Sequence, residues 1–180
     1  MVYVFLADGF EETEALAPVD ILRRCGVEVK TVGIGGGQIT GSHKITVIPD
    51  LTDAQITTDG LEGVVLPGGM PGTLNLEKSP IVKACVEYCR DNDLPICAIC
   101  AAPSILGHMG ILRGKRATCF PGFEQELDGA TLCQDELAVT DGKIVTGKGA
   151  GAAIEFGLAA AALFAGGEKS RKVRESLQCR

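Results

Sequence analysis

The chain has 180 residues, 17 Lys+Arg against 23 Asp+Glu for a net charge of −6, 8 Cys, 2 His and no Trp. Its length fits one domain over residues 1–180, and its 46% hydrophobic content excludes a disordered chain. The acidic balance argues against nucleic acid or an anionic membrane as partner, and no apolar run reaches the length of a membrane span.

Residues 2–7 form a continuous apolar run, the pattern of a buried parallel strand. The start lacks the basic segment of a secretory leader, so the cysteines are expected as reduced thiols in a cytoplasmic protein. A helix is predicted over 11–24, with Glu11, Glu12 and Glu14 in its first turn, Arg23 and Arg24 in its last, and Gly26 as stop. Pro18 is expected to kink it or limit its first turns.

Strands are predicted at 27–34 and 44–48 around the Gly35-Gly36-Gly37 turn, and at 63–66, ahead of Pro67-Gly68-Gly69. Ser79-Pro80 opens a helix to about residue 90, with Ser79 read as its cap. A buried strand over 94–99 turns at Cys100 into a helix of about ten residues. Asp141-Gly142 marks a hairpin, and helices follow over 152–164 and from about 168. This alternation predicts a mostly parallel sheet with helices on both faces and a site at the carboxyl ends of its strands. Three loops qualify, at residues 8–11, 67–70 and 99–102.

Cys100, at a sharp strand-to-helix turn, reads either as an exposed nucleophile or as a packed core thiol. As a nucleophile it is expected to have a lowered pKa, because backbone N–H groups and a helix start face it. Cys97-Ala-Ile-Cys100 fits a redox spacing, but Cys97 falls inside the apolar strand. A zinc site from Cys85, Cys89, Cys97 and Cys100 would split its ligands between a helix face and a strand interior, so no metal is expected. His108 lies roughly 12 Å along a helix from Cys100, too far for direct proton transfer. His43 reads as a solvated loop residue, and no histidine follows position 108. A Cys-His-acid triad therefore cannot be assembled, and proton handling falls to a carboxylate or water. Glu11, Glu12 and Glu14 supply the carboxylates, or are simply the acids of a helix start. A carboxyl beside a thiolate is expected to have a raised pKa. Gly68 and Gly69 are either a simple turn or amide donors to an oxyanion.

Ala7-Asp-Gly-Phe-Glu-Glu-Thr-Glu14, Pro18-Val-Asp20, Arg23-Arg-Cys-Gly26, Leu66-Pro-Gly-Gly-Met-Pro-Gly72, Ala98-Ile-Cys-Ala-Ala-Pro103 and Gly147-Lys-Gly-Ala-Gly151 occur in order along the chain. Together they resemble the ThiJ/PfpI superfamily, in the branch of the Parkinsonism-associated protein deglycase and its bacterial relatives. The resemblance implies a flavodoxin-like three-layer α/β sandwich, as in class I glutamine amidotransferases, and a homodimer. It implies Cys100 as an oxidation-sensitive nucleophile, Glu14 as the acid bonded to it, and Gly69 and Ala101, with Gly68 beside them, at the oxyanion and substrate position. The implied activities are cofactor-independent glyoxalase chemistry on small dicarbonyls (methylglyoxal to lactate) and protein deglycation, or redox-responsive chaperoning without turnover. The sequence departs from that pattern at Phe120, where many relatives have histidine, and at Lys148, where better-known members have arginine. Ala101 differs from the peptidase-like branch, which has histidine there.

Overall fold

The computed structural model describes residues 1–179. In chain order the elements are β1 (Val2–Leu6), α1 (Glu12–Arg24), β2 (Val29–Gly33), β3 (Ile39–Thr40), β4 (Thr46–Val47), β5 (Leu51–Thr52), β6 (Gly63–Leu66), α2 (Gly72–Lys78), α3 (Pro80–Asp91), β7 (Ile96–Ile99), α4 (Pro103–His108), β8 (Arg116–Ala117), β9 (Thr131–Leu132), β10 (Ala138–Asp141), β11 (Ile144–Gly147), α5 (Ala153–Ala165) and α6 (Gly167–Ser176). Seven strands form one sheet in the order β10-β11-β7-β6-β1-β2-β5. Every pairing in it is parallel except β10 with β11, the hairpin expected at Asp141-Gly142.

Side chains alternate across a strand, so the apolar runs of β1, β6 and β7 supply two cores. Tyr3, Phe5, Val64, Leu66, Ile96 and Ala98 face Leu76, Val82, Val86 and Ile105 of α2, α3 and α4. Val2, Val4, Leu6, Val65, Cys97 and Ile99 face Val19, Leu22, Phe156 and Val173 of α1, α5 and α6. The result is the expected three-layer α/β sandwich with helices on both faces of a mostly parallel sheet.

Several local expectations change. Residues 44–48 do not enter the main sheet; only Thr46 and Val47 pair, with β3, in a side ribbon. Ile45 and Ile48 are exposed there, so no apolar face exists to bury that segment in the sheet. The helix after Cys100 is shorter than ten residues, because Ala101 and Ala102 belong to the turn and the chain leaves α4 through Gly110 at φ 69°. Helix α1 runs through Pro18, whose backbone packs beside Gly157 of α5. Ser79 sits at the start of α3 but makes no side-chain cap. Its N–H closes the unforeseen α2 on Leu76 O at 3.1 Å, and its carbonyl starts α3, so one residue joins two helices.

Candidate active site

Strands β7, β6 and β1 are neighbours at the centre of the sheet, so the loops after their carboxyl ends converge. Backbone hydrogen bonds join the loops after β1 and β6 and tie the turn at Cys100 to the end of β11. Glu11 N–H donates to Gly68 O at 2.9 Å, Gly72 N–H to Gly9 O at 3.2 Å, and Cys100 N–H to Gly147 O at 2.9 Å. Cys100 itself adopts φ 66°. A side chain in this left-handed region costs roughly 1–3 kcal/mol and persists only where its surroundings enforce it. Leaving the strand this way leaves the Cys100 side chain partly exposed, whereas Cys97, three residues earlier, is fully buried. The buried position of Cys97 removes the redox pair suggested by the spacing.

Glu14, on the first turn of α1, is 1% exposed and reaches the same point. Its Oε2 accepts a hydrogen bond from Gly68 N–H at 3.0 Å, and the carboxylate lies beside the Cys100 side chain, each group shifting the other's proton affinity. A Cβ on Gly68 would lie 2.6 Å from both Cys100 Cβ and Glu14 Oε2, so only glycine lets the two groups meet. Gly68 therefore spends its N–H on Glu14. The N–H groups of Ala101 and Gly69 are the ones that act on the Cys100 sulfur. Gly69 holds its amide there at φ 93°, with Glu11 N and Gly9 O pressed against the place a side chain would take.

The electrostatics reverse one expectation and give another a different cause. The Cys100 thiol is not lowered; burial first, then the charge and hydrogen bond of Glu14, push it up to about 12 against the opposing pull of the Ala101 and Gly69 amides. Glu14 is raised as expected, to about 7, but the main cause is burial, and its bonds to Cys100 and Gly68 act in the opposite direction. Near pH 7 the thiol keeps its proton while Glu14 is about half ionised, and the ionised carboxylate is poised as a base toward Cys100.

Glu11 and Glu12 serve other purposes. Glu12 is buried and accepts His43 N–H at 2.8 Å and bonds His43 Nδ1 at 2.9 Å, pinning the segment after β3 to α1. Glu11 adds its negative charge beside Glu14, in the direction that raises it. His108 lies between Glu77 Oε1 at 2.5 Å and Glu126 Oε2 at 2.8 Å, away from the thiol. Sequence reasoning did not assign a role to the segment after β11. A Cβ on Gly149 would be 3.9 Å from Glu14 Oε1 and 3.1 Å from the ring of Phe120, whose N–H donates to Cys100 O at 2.9 Å. Lys148 Nζ is bound to Gln134 O at 2.5 Å. The sequence signals for this wall were the glycine-rich run 147–151 and the departures at Phe120 and Lys148.

The family model described as DJ-1/PfpI matches residues 1–163. The chain is 36% identical over 176 residues to Protein dj-1beta of Drosophila melanogaster, covering 97% of this chain and 94% of that protein. It is 33% identical over 149 residues to a protein of Pyrococcus abyssi named as a deglycase, covering 82% of this chain and 89% of that one. The crystal structure of Drosophila melanogaster DJ-1beta superposes with a TM-score of 0.94 at 35% identity, over 99% of this chain and 97% of the other.

Proposed function

The chain belongs to the DJ-1/PfpI family, and from that premise we propose that it is a glyoxalase- and deglycase-type enzyme that converts small dicarbonyls to 2-hydroxy acids through Cys100 and Glu14. The observation that carries the reading is the placing of the partly buried Cys100 beside the buried Glu14 across Gly68, with the Gly69 and Ala101 amides acting on the sulfur. A relative named as a deglycase supports the substrate class.

In this reading the Cys100 sulfur adds to the aldehyde carbon of methylglyoxal while its proton passes to Glu14. The new alkoxide lies at the Gly69 and Ala101 amides, where donors aimed at a developing oxyanion lower the barrier. Protonation of that oxygen gives a hemithioacetal and frees the Glu14 carboxylate. Glu14 then takes the proton from the former aldehyde carbon, and return of a proton to the neighbouring carbon of the enediol leaves a 2-hydroxy thioester on sulfur. Water cleaves the thioester, releasing lactate and restoring the thiol. The sum is methylglyoxal plus water to lactate, with no external oxidant or reductant and no cofactor in the route. The upward shift of Cys100 leaves little free thiolate at neutral pH for either this reading or the redox-sensor alternative; the dicarbonyl reading meets this by passing the thiol proton to Glu14 as sulfur adds.

The reading also places the protein in the cytoplasm, where eight free thiols stay reduced. It further takes the working form as a homodimer, which light scattering at twice the chain mass would support and a monomer mass would refute. No helix among the described residues is long and apolar enough to cross a membrane. Proton NMR of methylglyoxal incubated with the protein tests the chemistry. Wild type should form lactate and Cys100→Ser none, whereas equal formation by the two would remove Cys100 from the mechanism.

A further inference from the structure

The turnover of a small dicarbonyl leaves part of the neighbourhood of Glu14 unused. A cavity of about 360 Å³ is lined by Phe120, Pro121, Leu137, Lys148 and the backbone of residues 149–152. Phe120 and Leu137 are 47% and 50% exposed. Single exposed apolar side chains need no explanation, but these two line one hollow, and that hollow adjoins the reactive pair. Phe120 is tied to the nucleophile through its N–H bond to Cys100 O at 2.9 Å. The point where a Gly149 Cβ would sit is within van der Waals reach of both the Phe120 ring and Glu14 Oε1. Bare backbone at Gly149 therefore leaves no side chain between ring and carboxylate. The one charged side chain in the lining, Lys148, is held by Gln134 O, so the hollow presents mainly hydrocarbon. A methyl substituent has no use for such a volume.

We propose that this hollow takes the ketone-side substituent of the substrate, and that the preferred dicarbonyls are α-oxoaldehydes with a bulky apolar group, arylglyoxals above all. The proposal rests on the dicarbonyl reading of the Cys100–Glu14 site and names its substrate class. The chemistry is unchanged. Sulfur adds to the terminal aldehyde, the proton moves between the same two carbons, and water releases the acid, so that phenylglyoxal plus water gives mandelate. What differs is apolar area removed from water as the ring enters against Phe120 and Leu137.

The test compares kcat/KM for phenylglyoxal and methylglyoxal in the wild type, Phe120→Ser and Leu137→Ser proteins. The aryl-to-methyl ratio is read for each protein, so the different intrinsic reactivity of the two substrates cancels between proteins. Wild type should favour phenylglyoxal by about tenfold or more, and the ratio should fall by about tenfold in either variant, in line with the discrimination a hydrophobic pocket achieves. Leu137 is half-exposed, so its variant keeps the test open if Phe120→Ser fails to fold. Turnover of both substrates with a ratio that neither substitution moves would overturn the pocket and leave the dicarbonyl reading standing. Formation of neither 2-hydroxy acid by wild type would overturn both.

Discussion

A carboxyl group whose ordinary value is 4.5, held at about 7 mainly by burial, makes folding pH-dependent in a definite direction. The folded pKa of Glu14 lies above the unfolded one, so the fold prefers its protonated form. That contribution is fully present below about pH 4.5 and is lost as pH rises through 7. Above pH 7 the ionised, buried carboxylate weakens the fold by on the order of 3–4 kcal/mol, since each tenfold change in proton affinity is worth about 1.4 kcal/mol. Glu14→Gln should therefore stabilise the protein by that order at pH 8 in urea titrations and give little gain at pH 4; equal stabilities at pH 8 would contradict this. Part of this residue-scale chemistry was legible in the sequence. Cys100 stood out because an apolar strand turns there into a helix, and the lack of a usable histidine pointed to a carboxylate. The motif resemblance, and then the contact itself, singled out Glu14 from three neighbouring acids. The direction in which the Cys100 thiol moves was not legible, because it depends on how much water the pair loses, and burial at a strand end is a property of the packed loops.

Helices α2 and α4 and the turn at residues 124–126 are joined by one histidine. His108 is raised above its ordinary value by hydrogen bonds to Glu77 and then Glu126, with burial opposing. A raised histidine contributes stability that is fully present below its unfolded value, near 6.5, and is lost as pH rises through the folded one. The difference in urea midpoint between wild type and His108→Gln should thus be largest near pH 6 and shrink toward pH 9. A difference independent of pH would show that the imidazole acts by packing alone. The effect will be modest and salt-sensitive, since the His108 side chain is 43% exposed. At this scale the long helices were legible: α1 from its apolar spacing and end charges, α3 from its Ser79-Pro80 start, and α5 from its Ala-rich run. Helix α2 was not, because Gly72-Thr-Leu-Asn-Leu-Glu-Lys78 is two turns long and starts without a capping side chain. The β3–β4 ribbon was misplaced because short segments with exposed apolar residues carry no face that assigns them to a sheet.

The whole molecule is organised so that a rigid centre positions a small reactive pair. Three adjacent parallel strands with fully buried side chains end at one level; backbone groups bond the loops after β1 and β6 to each other and the turn after β7 to Gly147 and Phe120. The layered architecture was legible because strands buried on both faces read as unbroken apolar runs. The apolar wall at Phe120 and Leu137 was not, since its parts come from segments far apart in the chain. The central claim is that Glu14 is the base that takes the Cys100 proton and moves the substrate proton. A base with a pKa near 7 must be ionised to act, so activity should fall as pH drops through that value. The most direct test is the pH profile of kcat/KM for 2-hydroxy acid formation in wild type and Glu14→Gln. Wild type should show an acid limb near pH 7, and the variant should lose that limb with a rate lower by about a hundredfold or more. A variant with the wild-type rate and the same limb would contradict it.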